Sequence, residues 1–350
     1  MRRSKAVVTG AVVAAVAVAL AGCGTSAPSE GDSGTDSLLI YTSRAEPISE
    51  YVVEQFEAKY PEYAGKVEVL TMGAAEIPER VRAEKENPQA SLWWGGTQQA
   101  LSLGADDGLL EAWSDPSFKD QIDPMYRDAD DRWFAEYQLP QVIVYNNEVL
   151  DADSAPQDWD DLIDPEWRDK IIIRDVAASG GMRSIWDAMI LRESPDGSDP
   201  QPGYDYLTAL DANTTTYAAD PADLYLQLSR QSGVVSLWNL QDTLIQIEQN
   251  NMPFDFLIPS SGTPVLVDGL GIVADGPNTD GGKLFAEFLY DVELRSTLAE
   301  DYFQIPVTEI KAQPSWLADL DIVPLDVDWA IAAEHEAEWV DHWLNNIKNK

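Results

Sequence analysis

The chain has 350 residues, enough for one large or two medium domains with room to bury a core. Its formal charge of −38 argues against nucleic acid or an anionic membrane surface as partner, because a polyanion would be repelled along the whole length. A hydrophobic share of 45% with 12 Trp excludes a disordered acidic chain and leaves a solvated acidic surface as the reading of the charge.

At the N-terminus, Arg2, Arg3 and Lys5 precede an apolar, small-residue run over 6–20, and Leu20-Ala21-Gly22-Cys23 follows at once. This order resembles the bacterial lipobox and implies a signal peptide over 1–22, with cleavage leaving Cys23 lipid-modified at the new N-terminus. The apolar run is shorter than the roughly 18 to 20 residues of a membrane span. Cys23 is the only cysteine, so no disulfide and no thiolate metal cluster is expected. Residues 23–37 then read as a flexible Gly/Ser/Thr/Asp-rich tether, and the folded part is expected from Leu38.

From there LLIYT (38–42) reads as a buried strand closed by Ser43-Arg44, and Ile48, Tyr51, Val52 and Phe56 recur at helical spacing up to Pro61. Residues 66–71 alternate as a strand and 76–86 read as a helix. Residues 90–94 form a short apolar strand, Gly95-Gly96 a tight turn, and Thr97 an N-cap for a helix through Gly104. This strand, helix, strand order predicts a parallel sheet with covering helices. A strand from Gln138 (QLPQVIVYNN) and another at 170–175 (KIIIRD) lead to Ser179-Gly180-Gly181, which opens a second helix with Arg183 in its first turn. A glycine turn entering a helix leaves backbone N–H groups unpaired, an anion seat, and the chain holds two of them. Helices around 203–210 and 221–231, a strand at 234–237, a helix at 241–250 and a strand at 254–258 follow. The stretch 260–278 reads as two extended pieces joined through Asp268-Gly269. A helix at 283–290 precedes a last one carrying Trp329, Trp339 and Trp343.

The common catalytic signatures are missing from the sequence. His335 and His342 lie seven apart on one predicted helix, about 10 Å, too far to share a metal ion. There is no G-x-S-x-G, P-loop or H-E-x-x-H. Gly269-Leu270-Gly271-Ile272-Val273-Ala274 has the letters of a dinucleotide fingerprint, but the residues after the glycines continue as strand where that motif needs a helix. The Asp pairs Asp106-Asp107, Asp130-Asp131 and Asp160-Asp161 lack the glycine and closing Glu of a calcium loop. No enzyme activity, cofactor or resident metal is expected.

LLIYTSR, RAEKENPQASLWWGG with ADDGLLEAW, LPQVIVYNN, DWDDLIDPEWRDKI with the ASGG turn, and VDGLGIVADGPN appear in an order and spacing that resembles the solute-binding proteins of bacterial ABC importers. The group concerned includes ferric-iron, sugar-phosphate, phosphonate, thiamine and polyamine binders. The resemblance implies a two-lobed α/β fold of the type II periplasmic-binding-protein kind, each lobe a mixed, mostly parallel sheet flanked by helices, with the ligand cleft at the hinge. Lobe 1 is expected over 38–137 plus 262–309 and lobe 2 over 138–261 plus 310–350, the C-terminal helices packing back onto lobe 2. It further implies a lipid-anchored monomer outside the cytoplasmic membrane, partnered by a permease.

In the iron binders of that group a neighbouring tyrosine pair from the second lobe holds the metal. Here Tyr225 and Tyr290 bracket a tyrosine-free stretch, and Gly95-Gly96-Thr97 stands where the group's glutamate belongs. Fe(III) wants phenolate and carboxylate oxygens, so the departure disfavours it. Ser43, Arg44, Gly95, Gly96 and Thr97 are therefore expected to meet Ser179, Gly180, Gly181 and Arg183 around a phosphate, phosphonate or carboxylate. Trp238 would stack on the organic part, and Gln241, Asp242 or Asp268 would read hydroxyls or an amine. Alternatives are a polyamine or thiamine, favoured by the net charge and the tryptophans, ferric iron, an α/β hydrolase, or an adhesion or signalling module.

Overall fold

The computed structural model describes residues 37–318 and 320–348, so Cys23, the signal-like segment and the tether lie outside the described residues. Strands β1 (Leu38–Thr42), β2 (Val67–Thr71) and β3 (Leu92–Thr97) alternate with helices α1 (Glu46–Lys59), α2 (Glu76–Ala83) and α3 (Gln98–Asp106). β1 pairs in parallel with β2 and with β3, as the strand and helix alternation predicts. Strand β4 (Phe134–Asn146) follows, then β5 (Ile171–Arg174), α4 (Gly180–Glu193), α5 (Gln201–Asn213), β6 (Thr214–Ala218) and α6 (Pro221–Ser229). Next come β7 (Val235–Asn239), α7 (Leu240–Glu248), β8 (Phe254–Leu257), β9 (Val265–Ile272), α8 (Thr279–Leu289) and α9 (Val292–Asp301). The last elements are β10 (Ile305–Pro306), α10 (Ser315–Ala318) and α11 (Trp329–Asn346).

The strands form one mixed sheet in the order β2-β1-β3-β9-β4-β7-β5-β6, with β8 and β10 also pairing β4. β4 is the shared member. Its first half pairs antiparallel with β9, from Phe134 opposite Leu270 to Pro140 opposite Val265. Its second half pairs with β7 and β8, from Gln141 opposite Asn239 to Asn146 opposite Phe254. Separate apolar clusters flank the two halves. Around β5 and β7, the buried run Ile171-Ile172-Ile173 packs against α4, α5 and α11, as expected for a strand covered on both faces. Around β1 and β3, Trp94 packs with Phe56, Phe285 and Phe288 on one face, and Trp93 with Tyr41, Ile77 and Leu101 on the other. Alternation along β3 sends the two indoles to opposite sides, both fully buried.

Several sequence expectations need correction. Gly95-Gly96 is no turn: it lies within β3, at positive φ, where the register against β9 slips between Trp94 and Thr97. That is a bulge, which glycine accommodates without a Cβ penalty. The stretch through Asp268-Gly269 is one continuous strand, because Asp268 is engaged by neighbours on both sides and Gly269 lies flat against β4. β6 and α9 went unread: β6 is a threonine-rich edge strand without an apolar alternation, and α9 has a weakly amphipathic sequence set by its Asp291 cap. α11 buries Trp339 and Trp343 in the β5–β7 cluster, and it also packs against α3.

The near-fingerprint glycines also find their reason here. A Cβ on Gly269 would stand 2.3 Å from the Phe134 carbonyl oxygen, and one on Gly271 would stand 2.7 Å from a Leu110 methyl. Gly269 lets β4 and β9 approach, and Gly271 makes room for Leu110 and the Arg132 carbonyl. Gly269→Ala should therefore cost about 1 to 3 kcal/mol, read as a lower urea midpoint with an unchanged m-value.

Candidate functional site

Thr97 ends β3 and caps α3, its hydroxyl accepting from Ala100 N at 3.4 Å. Ser179 does the same for α4, accepting from Met182 N at 3.3 Å. The two helix starts converge: a Cβ built on Gly180 would lie 3.5 Å from Thr97 Cγ2, and one on Gly181 would lie 3.8 Å from Gln141 Oε1. One turn further in, Gln99 Nε2 donates to Ser184 Oγ at 3.3 Å. The two helix starts, whose first N–H groups have no backbone acceptor within their own helix, thus lie side by side. Gly95 is irreplaceable at this point, since its φ is +103° and a Cβ would stand 2.6 Å from Ser43 Oγ. Trp93 Nε1 folds back to donate to Gly95 O at 2.6 Å, which braces the bulge.

Arg183 does not point free. It donates to the carbonyls of Val176 and Ala177 and pairs with Glu336 of α11 at 3.2 Å. Gripping those carbonyls holds the loop that leads into α4.

Arg44 is buried at the end of β1 and sits at the centre of an ionic cluster. It pairs with Glu136 at 2.7 Å and Asp268 at 2.8 Å, and donates to Tyr137 Oη at 2.7 Å. Arg295 of α9 grips the other oxygen of Glu136, and Trp94 Nε1 donates to Glu136 at 2.7 Å. Asp268 Oδ1 also accepts from Gly96 N at 2.9 Å, tying the cluster to the β3 bulge. Glu136 is itself a bulge residue, the one left over where Ala135 faces Gly269 and Tyr137 faces Asp268. Burial opposes the charge of Glu136, but Arg295 and Arg44 outweigh it and hold the carboxyl below its usual range. Asp268 is pushed upward by burial, with Arg44 countering. Arg44 Nε has no hydrogen-bond partner among the described residues.

On the β7 side, Trp238 is 7% exposed and its Nε1 donates to Tyr225 Oη at 2.9 Å and Asp242 Oδ2 at 3.2 Å. Burial raises the Asp242 pKa, against hydrogen bonds from Asn239, Trp238 and Tyr225. Gln241 points elsewhere, donating to Tyr302 O at 2.8 Å. Ser43, Gly95, Gly96, Thr97, Arg44 and Asp268 thus adjoin one another, and Ser179, Gly180 and Gly181 meet them at Thr97. Trp238 and Asp242 form a neighbouring group, and Gln241 and Arg183 are engaged with backbone or Glu336. Glu136, Tyr137, Gln141, Arg295, Gln99 and Ser184 went unread. A lone Glu in the apolar run FAEYQLPQVIVY was the available signal for the first. Among the described residues no three His, Cys, Asp or Glu side chains gather as a metal site.

A second buried acid group lies just behind. Asp187, 0% exposed in the middle of α4, faces Glu336 and, among the described residues, accepts from no N–H or hydroxyl donor. Burial and the facing Glu336 raise its pKa well above the usual value, with Arg183 countering, and burial raises that of Glu336 as well. The native state therefore keeps protons that the unfolded chain releases, so stability declines as pH climbs from the ordinary carboxylate range toward these raised values. Asp187→Asn should flatten that decline, measured as urea midpoints at about pH 5 and about pH 8. Glu136→Ala, which strands the buried Arg295 and leaves Arg44 with Asp268 as its one carboxylate, should cost about 3 to 5 kcal/mol by the same measurement.

A curled mixed sheet with helices on its faces, and two helix starts meeting near the strand shared by its halves, is the type II periplasmic-binding-protein architecture. The chain belongs to the family of bacterial extracellular solute-binding proteins, whose model matches residues 97–334. A probable ABC transporter periplasmic-binding protein of Sinorhizobium fredii is 26% identical over 321 residues, 89% of this chain and 86% of that one. Iron uptake protein A1 of Synechocystis is 24% identical over 305 residues, 82% of this chain and 81% of that one. The structure of the periplasmic binding protein AfuA from Actinobacillus pleuropneumoniae, with exogenous fructose-6-phosphate bound, matches with a TM-score of 0.78 at 26% identity. It covers 90% of this chain and 99% of that one. The protein is accordingly an extracellular or periplasmic solute-binding protein of an ABC importer, with a small molecule as ligand and a membrane permease as partner.

Proposed function

We propose that the solute is a small organic anion bearing a phosphate, phosphonate or carboxylate, seated between Thr97 and Ser179-Gly180-Gly181. The observation that carries this reading is the convergence of two helix N-termini, with Gly180 in reach of Thr97. Each terminus contributes about 0.3 to 1 kcal/mol to an anion through its dipole, and each charge-assisted hydrogen bond about 1.5 to 3 kcal/mol. Arg44 and Arg295 neutralise Glu136 and Asp268, so that buried cluster sets no net negative charge against the anion, while Arg183 shapes the turn by holding Val176 and Ala177. Asp268 and Asp242 favour a hydroxyl or amine on the remainder of the solute, with Trp238 beside them. The bound fructose-6-phosphate of the similar AfuA supports the same chemistry.

In this reading 38–137 plus 262–309 and 138–261 plus 310–350 are the two lobes, and β4 crosses between them. The chain acts as a monomer, held outside the cytoplasmic membrane by lipid on Cys23, and delivers solute without chemical change.

A melting-temperature screen of fructose-6-phosphate, an alkylphosphonate, putrescine and ferric citrate tests the ligand class. A ligand at about 100 times its Kd stabilises the native state by about 2.7 kcal/mol. The phosphate or phosphonate should raise the melting temperature, and Gly180→Leu, which fills the space beside Thr97, should abolish that rise while the unliganded protein stays folded. A response confined to putrescine or iron would overturn the anion reading.

A further inference from the structure

The loop over 175–178 delivers Ser179-Gly180-Gly181 to the start of α4, and it is held from two sides. From α4 itself, Arg183 donates to the carbonyls of Val176 and Ala177. Within the loop, Ser179 N donates to Val176 O at 3.3 Å and Ala178 N to Asp175 Oδ1 at 3.3 Å. From α11, Glu336 accepts from Arg183 at 3.2 Å, and Lys348, just past the helix end, pairs with Asp175 at 2.7 Å. The same helix packs against α3, which carries the other half of the seat.

The Glu336 contact has a second acid beside it. Asp187 lies one turn beyond Arg183 on α4, is wholly buried, and is hydrogen-bonded to the Glu336 carboxyl group. A hydrogen bond between two carboxyl groups needs a proton on one of them. Burial opposes charge on Asp187 most strongly, Glu336 adds to this and Arg183 counters it. The proton therefore resides on Asp187, which leaves Glu336 ionised for Arg183.

Charged groups on the surrounding elements are committed elsewhere. On α5, Asp205 accepts from Gln201 and Asp211 from Tyr217; on α3, Asp106 pairs with Arg132. On α11, His335 stacks on Trp339 and His342 on Tyr204, while Glu334 and Glu338 are exposed. Loss of the shared proton would thus set two facing carboxylates beside a single guanidinium, and like charges repel α11 from α4.

We propose that Glu336 is a positioning residue of the solute site: through Arg183 it holds the 175–178 loop, and the proton shared with Asp187 keeps that hold. The seat is tight while the pair carries its proton and loosens as pH climbs through the raised value of Asp187. The proposal rests on the anion reading for the occupant of the seat, while the hold on the loop is measured apart from it.

Hydrogen exchange of the unliganded full-length protein reads the loop. With intrinsic rates divided out, the amides of Ala178, Ser179 and Met182 should exchange at least about five-fold faster at about pH 8 than at about pH 5. In Asp187→Asn, whose amide donates to Glu336 at any pH, they should stay slow at both. In Glu336→Ala they should be fast at both, and Asp187→Asn decides the matter if that variant melts early. Calorimetric titration with fructose-6-phosphate then reads the site. The ratio of the wild-type Kd to that of Asp187→Asn cancels the titration of the phosphate itself, and it should rise at least about five-fold over the same interval. Loop exchange that is the same in wild type and Asp187→Asn, or a Kd ratio that stays constant with pH, would overturn the proposal. A responsive loop in a protein that binds no fructose-6-phosphate would support the positioning role and overturn the anion reading instead.

Discussion

Glu136 lies between Arg44 and Arg295, at 0% exposure, and much of the surrounding geometry depends on it. The three residues come from the end of β1, from β4 and from α9, and Asp268 of β9 joins them through Arg44. A buried ionic cluster of this kind contributes little net stability, because desolvation offsets most of the Coulomb attraction. What it does supply is direction. Each guanidinium and carboxylate satisfies its partners in one arrangement, so β1, β4, β9 and α9 are held in a single register where β4 passes between the two halves of the sheet.

Two bulges make room for that cluster, and they lie on opposite sides of Asp268. One, in β3, turns Gly96 N toward the Asp268 carboxylate; the other, in β4, turns Glu136 inward. From there the effect reaches the proposed anion seat directly. The β3 bulge ends at Thr97, Thr97 caps α3, and α3 presents its first turn to Gly180 of α4. The position of one helix N-terminus therefore depends on charges buried a few residues away, as expected for a site that must be preorganised.

The overall negative charge sits uneasily with an anionic solute only at long range. Within a Debye length of about 8 Å at physiological salt, local donors decide. Locally, Arg44 and Arg295 balance Glu136 and Asp268, which leaves the helix N–H groups as the uncommitted polar groups between Thr97 and Gly180. Asp242 and Trp238 add an acidic, aromatic wall on the β7 side, suited to the part of a solute that is not anionic.

Sequence by itself determined the features that depend on near neighbours. Thr97, Ser179, Asn239 and Asp291 cap their helices because each accepts from an N–H two or three residues ahead. The apolar runs of β1, β3, β5 and β7 could be read because burial on both faces demands them, and the order of strands and helices carried the family resemblance. Only the tertiary structure decided what Arg44 and Arg183 do, because their acidic partners lie far along the chain, Asp268 for one and Glu336 for the other. It also decided that Asp268-Gly269 is strand interior, since the clash that requires glycine comes from the Phe134 carbonyl on another strand. Glu136 was hidden for a related reason. A bulge breaks the two-residue alternation, and its presence is set by what lies across the sheet.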